Sequence, residues 1–169
     1  SDLLGGVDPR GHAIADATDA ALLGALAIAG REEAERWGSV RAHVTFVAMG
    51  RYGGRECSYA SDADVIALHE PVGGASDSEA AASATAIVNR VKKLLGSATS
   101  QLGIVVDLDL RPEGKNGPMS RTIASHEEYA QRWASTWERQ AAVRARPIGS
   151  SDLDERARAL FESMAYREV

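Results

Sequence analysis

The stretch that decides the fold is VAMGRYGGRECSYASDADVIAL, residues 47–68. A β-rich run, HVTFVAM (43–49), predicts a strand that stops at Gly50. Gly53 and Gly54 follow, then a short polar segment, then Asp62 and Asp64 at the head of the apolar run VIAL, and DADVIAL (62–68) predicts a second strand. Strands disfavour aspartate. In a strand, residues i and i+2 face the same side, so these two carboxylates point together and repel, which drives one of them toward its protonated form. A hard divalent cation removes that penalty. Mg²⁺ takes oxygen ligands and is held by one or two carboxylates plus substrate phosphates. Alone, an Asp-x-Asp is not specific, because calcium loops, nucleotide-sugar transferases and plain exposed edges carry it too.

Working outward, GIVVDLDLRP (103–112) predicts a third strand. Its alternation puts Ile104, Val106, Leu108 and Leu110 on one side and Val105, Asp107, Asp109 and Arg111 on the other. Asp107 thus offers a third carboxylate. Three carboxylates on neighbouring strands can hold two metal ions about 3.5–4 Å apart, the arrangement that clamps an in-line phosphoryl displacement. Glycines at 50, 53 and 54 let backbone approach a phosphate. Arg51, Arg55 and Arg111 supply positive charge for a triphosphate. Ser58 and Ser61 offer hydroxyls, and serve equally well as turn residues.

The flanks read as helices. Residues 13–37 repeat Ile14, Ala17, Ala21, Leu22 and Leu26 at helical spacing, and residues 78–98 place Ala84, Ile87, Val88, Val91 and Leu95 on one face. PVGGASDSE (71–79) and PEGKNGP (112–118) are loops by composition. Ser125 and Glu128 predict a capping box for a helix that ends at Pro147. That helix sets Tyr129, Trp133, Trp137 and Ala141 four apart, a stripe expected in the core. A last helix from about Ser151 buries Leu153, Ala157, Leu160, Phe161 and Met164. The order of elements predicts an α+β domain with a small mixed sheet.

Length and composition narrow the class. The 169 residues, 44% hydrophobic and 25% charged, suit one globular domain. The net charge of −5 argues against a nucleic-acid binder. No apolar run is read as a membrane span. The opening SDLLGGVDPRGHA has neither a basic n-region nor an apolar h-region, and it lacks Met, so a piece of a longer protein is expected. The lone Cys57 forms no internal disulfide and fits a reducing cytoplasm, as a small side chain beside a turn. His12, His43, His69 and His126 share no metal-binding spacing.

GRYGGRECSYASDADVI (50–66), VDLDLRPEGKNGP (106–118) and RWASTWERQAAVRARP (132–147), in that order, resemble the glutamine-synthetase adenylyltransferase family. The likeness runs from about Val44 to Gly149. It implies the DNA polymerase β-like nucleotidyltransferase fold over residues 1–169. Residues 1–40 would be a helical flank, 41–122 the catalytic sheet and its helices, and 123–169 C-terminal helices. It implies AMP transfer from ATP to a tyrosine of glutamine synthetase in nitrogen metabolism. The implied ligands are two Mg²⁺ or Mn²⁺ ions, with Asp62, Asp64 and Asp107 as metal ligands and catalytic residues. Gly50, Arg51, Gly53, Gly54, Ser61 and Arg111 would meet the nucleotide. Arg51 stands where the wider superfamily has a small residue, and Asp109 where other members have a basic one. The family enzyme carries two such domains, and TWERQAAVRARP looks more like the C-terminal, AMP-adding copy. A regulatory signalling protein and glutamine would act on the full-length enzyme. The alternatives are AMP removal by phosphorolysis, transfer to a small-molecule acceptor, or a nucleotide-binding regulatory module without turnover.

Overall fold

The computed structural model describes residues 8–59, 61–97 and 104–166. The ends of two predicted elements, at residues 98 and 103, lie outside them, as do residues 1–7.

The first helix, α1 (Pro9–Trp37), starts under an Asp8 cap with Pro9 in its first turn and ends at Gly38 with φ +76°. That left-handed residue is the conformation glycine adopts without penalty. Strand β1 (Ala42–Ala48) leads into a single turn, α2 (Gly50–Gly53), and β2 (Ala63–Pro71) follows. Helix α3 (Asp77–Ser97) is capped by Ser76, whose N–H is bound by Glu79. Then come β3 (Val106–Asp107), a 3₁₀ turn (Gly114–Asn116) and β4 (Ser120–Thr122). Helices α4 (Ile123–Arg132) and α5 (Thr136–Ala142), the short β5 (Arg146–Pro147) and α6 (Asp152–Tyr166) complete the order.

The sheet is mixed, with order β3-β2-β1-β5 and β4 beside the far half of β2. β1 runs antiparallel to both β2 and β5, while β3 and β4 run parallel to β2. Both faces are covered. Phe46, Ala48, Ala63, Val65 and Ala67 pack with Leu22 and Ala25 of α1 and Ile87, Val88 and Val91 of α3. The alternate residues Val47, Ile66 and Leu68 pack with Ala130 of α4, Ala142 of α5 and Leu160 and Phe161 of α6. The expected α+β layout with a small mixed sheet is what forms.

Several expectations need correction. The third strand is far shorter than 103–112. It ends at Asp107, because Asp107 Oδ1 accepts the Asp109 N–H at 2.7 Å and the Arg111 N–H returns to the Leu108 carbonyl at 3.1 Å. Asp109 and Arg111 therefore do not share a strand face with Asp107, and Leu110 crosses to the α4–α6 side. The Ser125–Glu128 box does not form. Thr122 caps α4 instead, its hydroxyl accepting the Ser125 N–H at 3.1 Å.

The helix predicted through to Pro147 is broken in two, and the real capping box is Ser135 with Glu138. The break turns the tryptophans out: Trp133 is 74% exposed and Trp137 54%. Finally, α1 is long and apolar enough to cross a membrane, by length and composition. Here it packs on α3, and its Asp16 and Asp19 are ion-paired to Arg55 and Arg146.

Candidate functional site

Parity along the strands places the acidic residues. Asp64 alternates with Val65 and so shares the face of Ile66 and Leu68, the α4–α6 side. β3 sets Asp107 directly opposite Asp64 in parallel register. Asp62 lies one residue before β2 and is exposed, while Asp64 and Asp107 are half-buried. Burial pushes the Asp64 carboxyl above its ordinary value near 3.8, Asp107 and then Asp62 add to the rise, and Arg51 opposes it. Carboxylates that repel one another at one sheet end could serve as oxygen donors to a hard cation. Among the described residues no three His, Cys, Asp or Glu side chains form a ready-made metal cage. One oxygen of Asp107 is turned to the Asp109 N–H.

Gly50 sits under this cluster with φ +54°. A Cβ there would lie 2.9 Å from Asp64 Oδ2, so the position demands glycine on both conformation and space. The other glycines differ. A Cβ on Gly53 would lie 2.1 Å from the Arg144 carbonyl oxygen and 2.6 Å from that of Ala48, so Gly53 answers to the chain's own backbone. Gly54 meets nothing closer than 3.6 Å.

The remaining sequence candidates separate. Arg51 is exposed and within electrostatic reach of Asp64 and Cys57. Arg55 is engaged elsewhere, 2.6 Å from Asp16 of α1. Ser61 Oγ accepts the Ser58 N–H at 3.0 Å and closes the loop before Asp62. Arg111 donates to the carbonyls of Leu108 (2.8 Å) and Gly117 (3.3 Å), with its side chain 11% exposed. In this structure it fastens the 108–117 loop, and the phosphate role expected of it finds no support in that placement. Asp109 is paired with Lys115 at 3.4 Å. Cys57 is buried, and burial raises its thiol, as suits an unreactive packing residue.

Sequence reasoning missed a second set. Asp19 of α1 accepts the Tyr52 hydroxyl at 2.6 Å and two Arg146 N–H groups at 2.7 and 3.1 Å. Arg144 reaches Glu56 at 2.8 Å. These partners are up to 127 positions apart in the chain, and no local spacing announces them. His126 is 2% exposed, stands 5.2 Å from Phe161, and has no partner for Nδ1 among the described residues. Burial first, then Arg121, lowers its pKa to about 4, so it is neutral at physiological pH.

Comparison with known proteins gives this geometry a context. The family model described as glutamate-ammonia ligase adenylyltransferase matches residues 11–161. A Streptomyces avermitilis protein named bifunctional glutamine synthetase adenylyltransferase/adenylyl-removing enzyme is 41% identical over 162 residues, 95% of this chain and 16% of that protein. Proteins of the same name from Streptomyces coelicolor (39%, covering 96% of this chain and 16% of that protein) and Bifidobacterium longum (47%, covering 79% and 13%) are also similar. The chain thus spans about one sixth or less of the length of these relatives. The resemblance read from the three motifs holds, and the chain belongs to the glutamate-ammonia ligase adenylyltransferase family.

Proposed function

We propose that this chain is a nucleotidyltransferase unit that moves AMP from ATP to a tyrosine of glutamine synthetase. The observation that carries the reading is the pairing of Asp64 with Asp107 across β2 and β3, with Asp62 beside them and Gly50 beneath. The names of the relatives supply the substrate, and a family match over 11–161 supplies the reaction class.

Asp62, Asp64 and Asp107 would hold two Mg²⁺ or Mn²⁺ ions, which supply charge neutralisation at the triphosphate and lower the cost of ionising the attacking hydroxyl. The chain's own residues do the rest. Gly50 leaves room for the Asp64 carboxylate to lie against the turn, and Arg51 adds positive charge beside Asp64. A phenol has a pKa near ~10 and attacks poorly while protonated. Asp107 is half-buried at the edge of the cluster and suits the role of proton acceptor from that hydroxyl. The tyrosine oxygen forms a bond to the α-phosphorus as the bond to pyrophosphate breaks, and pyrophosphate leaves with the electron pair. Positioning and charge neutralisation dominate such a transfer.

In the wider proposal, residues 1–169 act as one catalytic unit of a longer cytoplasmic enzyme, with a signalling protein and glutamine acting elsewhere on it. The test is to incubate the chain with Mg²⁺, α-labelled ATP and unmodified glutamine synthetase. Label on a glutamine synthetase tyrosine is expected, abolished in Asp62→Asn and Asp64→Asn. No labelling, together with phosphate-dependent release of ADP from adenylylated glutamine synthetase, would reverse the assigned direction.

A further inference from the structure

We propose that Asp19, Tyr52 and Arg146 form a clamp that positions the Gly50–Gly53 turn against the carboxylate cluster, so that α1 and the segment around β5 set the geometry of that site. This rests on the adenylyl-transfer reading for its kinetic consequence only.

The clamp is built from three distant parts of the chain. Asp19 is on α1, Tyr52 is inside the α2 turn, and Arg146 is on β5. The Asp19 and Arg146 side chains are 15% and 18% exposed, and Tyr52 is 1% exposed. One carboxylate takes three donors: the Tyr52 hydroxyl and two guanidinium N–H groups. The guanidinium also lies 5.5 Å from the Tyr52 ring centroid, and its Nε donates to the Gly53 carbonyl at 3.4 Å. A half-buried, bidentate Arg–carboxylate pair is stiff where an exposed pair is not. Burial, then Asp19, raises the Tyr52 hydroxyl above the ordinary phenol range, so it stays protonated and donates.

Neighbouring contacts point the same way. A Cβ on Gly11, in the first turn of α1, would lie 2.9 Å from the Arg55 carbonyl oxygen, so that turn lies directly on the loop beyond α2. Asp16 holds Arg55 at 2.6 Å, at a residue whose φ is +58°. From the other side, the Arg144 carbonyl presses on Gly53, and its guanidinium holds Glu56. Residues 50–56 are therefore gripped between α1 and the strand that follows α5. The same segment holds Gly50, which faces Asp64. Loosening the grip lets Gly50 and Arg51 shift relative to the carboxylates, which weakens the seat this turn offers the triphosphate of ATP.

The test compares wild type with Tyr52→Phe, which keeps the ring and deletes only the hydroxyl, and with Asp19→Asn. Arg90→Ala breaks a surface pair between α3 and α1 and serves as the control. Two readouts are taken on each. The first is steady-state transfer to glutamine synthetase with Mg²⁺. Tyr52→Phe and Asp19→Asn should raise the KM for ATP about tenfold, with the KM for glutamine synthetase within about twofold. A merely structural loss would lower apparent kcat through a smaller folded fraction and leave both KM values alone. The second readout, backbone amide hydrogen exchange, needs no turnover. Protection should fall in residues 50–56 and stay unchanged in α3. If Asp19→Asn does not fold, Tyr52→Phe decides alone. Unchanged protection at 50–56 in folded Tyr52→Phe overturns the clamp, as does an unchanged KM for ATP in an active enzyme. An inactive wild type with lost protection in the variants would instead sink the adenylyl-transfer reading and leave the clamp standing.

Discussion

The two faces of the sheet do different work. On the α1/α3 side the apolar packing runs unbroken from Ala63 through Phe46 to Val91, and no carboxylate interrupts it among the buried residues. On the α4–α6 side the same alternation begins in the same way, with Leu68 and Ile66, but its next members are Asp64 and Asp62. The cover of that face is also broken into shorter helices, where the other has two long ones. One face closes the fold, and the other stops short and leaves three carboxylates at the sheet's end. On that second face it is position along the strand that matters: Leu68 and Ile66 are buried under α4–α6 and belong to folding, while Asp64 lies where that packing ends.

That contrast can be broken from either side. The largest effect belongs to the acidic end. Asp64→Asn should lose about 10³-fold or more in transfer rate, as removal of a charge-stabilising group at a phosphoryl site does. Its folded state should nonetheless be at least as stable as wild type in metal-free buffer at pH 7. The sign follows from burial, which raises the Asp64 pKa in the folded protein. The folded state then binds the proton more tightly than the unfolded one, so stability falls as pH rises from about 3.8 through the folded value. Asparagine removes that fall. Melting curves alongside the kinetics check both halves.

Phe46→Ala, on the closed face, should do the reverse. It should cost about 3–5 kcal/mol in chemical denaturation, while the molecules still folded keep their KM for ATP. A smaller effect lies beneath α4. His126 is buried neutral with a pKa near 4, so the folded state resists its protonation. Its contribution is complete above pH 6.5 and is lost as pH falls from there to about 4. Within that window stability should drop by up to about 1.4 kcal/mol per pH unit, and His126→Leu should flatten the slope. The smallest effect is at the exposed tryptophan. Trp133→Ala should change stability by no more than about 0.5 kcal/mol. A large loss there would show that the α4–α5 break does not expose it as described.

How much of this could be read from the chain depended on the range of the forces. Helix α3 and helix α6 were legible residue by residue, because each buries one stripe and nothing else competes for it. So was the Asp62–Asp64 pair, which is unfavourable in a strand unless something is gained. The third strand is shorter than its pattern predicts, because perfect alternation in 104–110 is also compatible with a two-residue strand and a turn. The aspartates that enabled the pattern also offer carboxylates to nearby N–H groups. The α4–α5 break carried its own signal in Ser135-x-x-Glu138, the same type of box that was assigned ten residues too early. Short β4 and β5 exist only through pairing with β2 and β1, and the Asp19–Tyr52–Arg146 joint only through tertiary folding. No local pattern encodes either.

Asp62, Asp64 and Asp107 are proposed to hold divalent metal together. Thermal melting of metal-free protein titrated with Mg²⁺ addresses this without any need for turnover, since a ligand that binds only the folded state raises Tm with concentration. Wild type should gain several degrees, and Asp62→Asn, Asp64→Asn and Asp107→Asn should each gain much less. Equal gains in all four proteins would show that these carboxylates do not hold the ion.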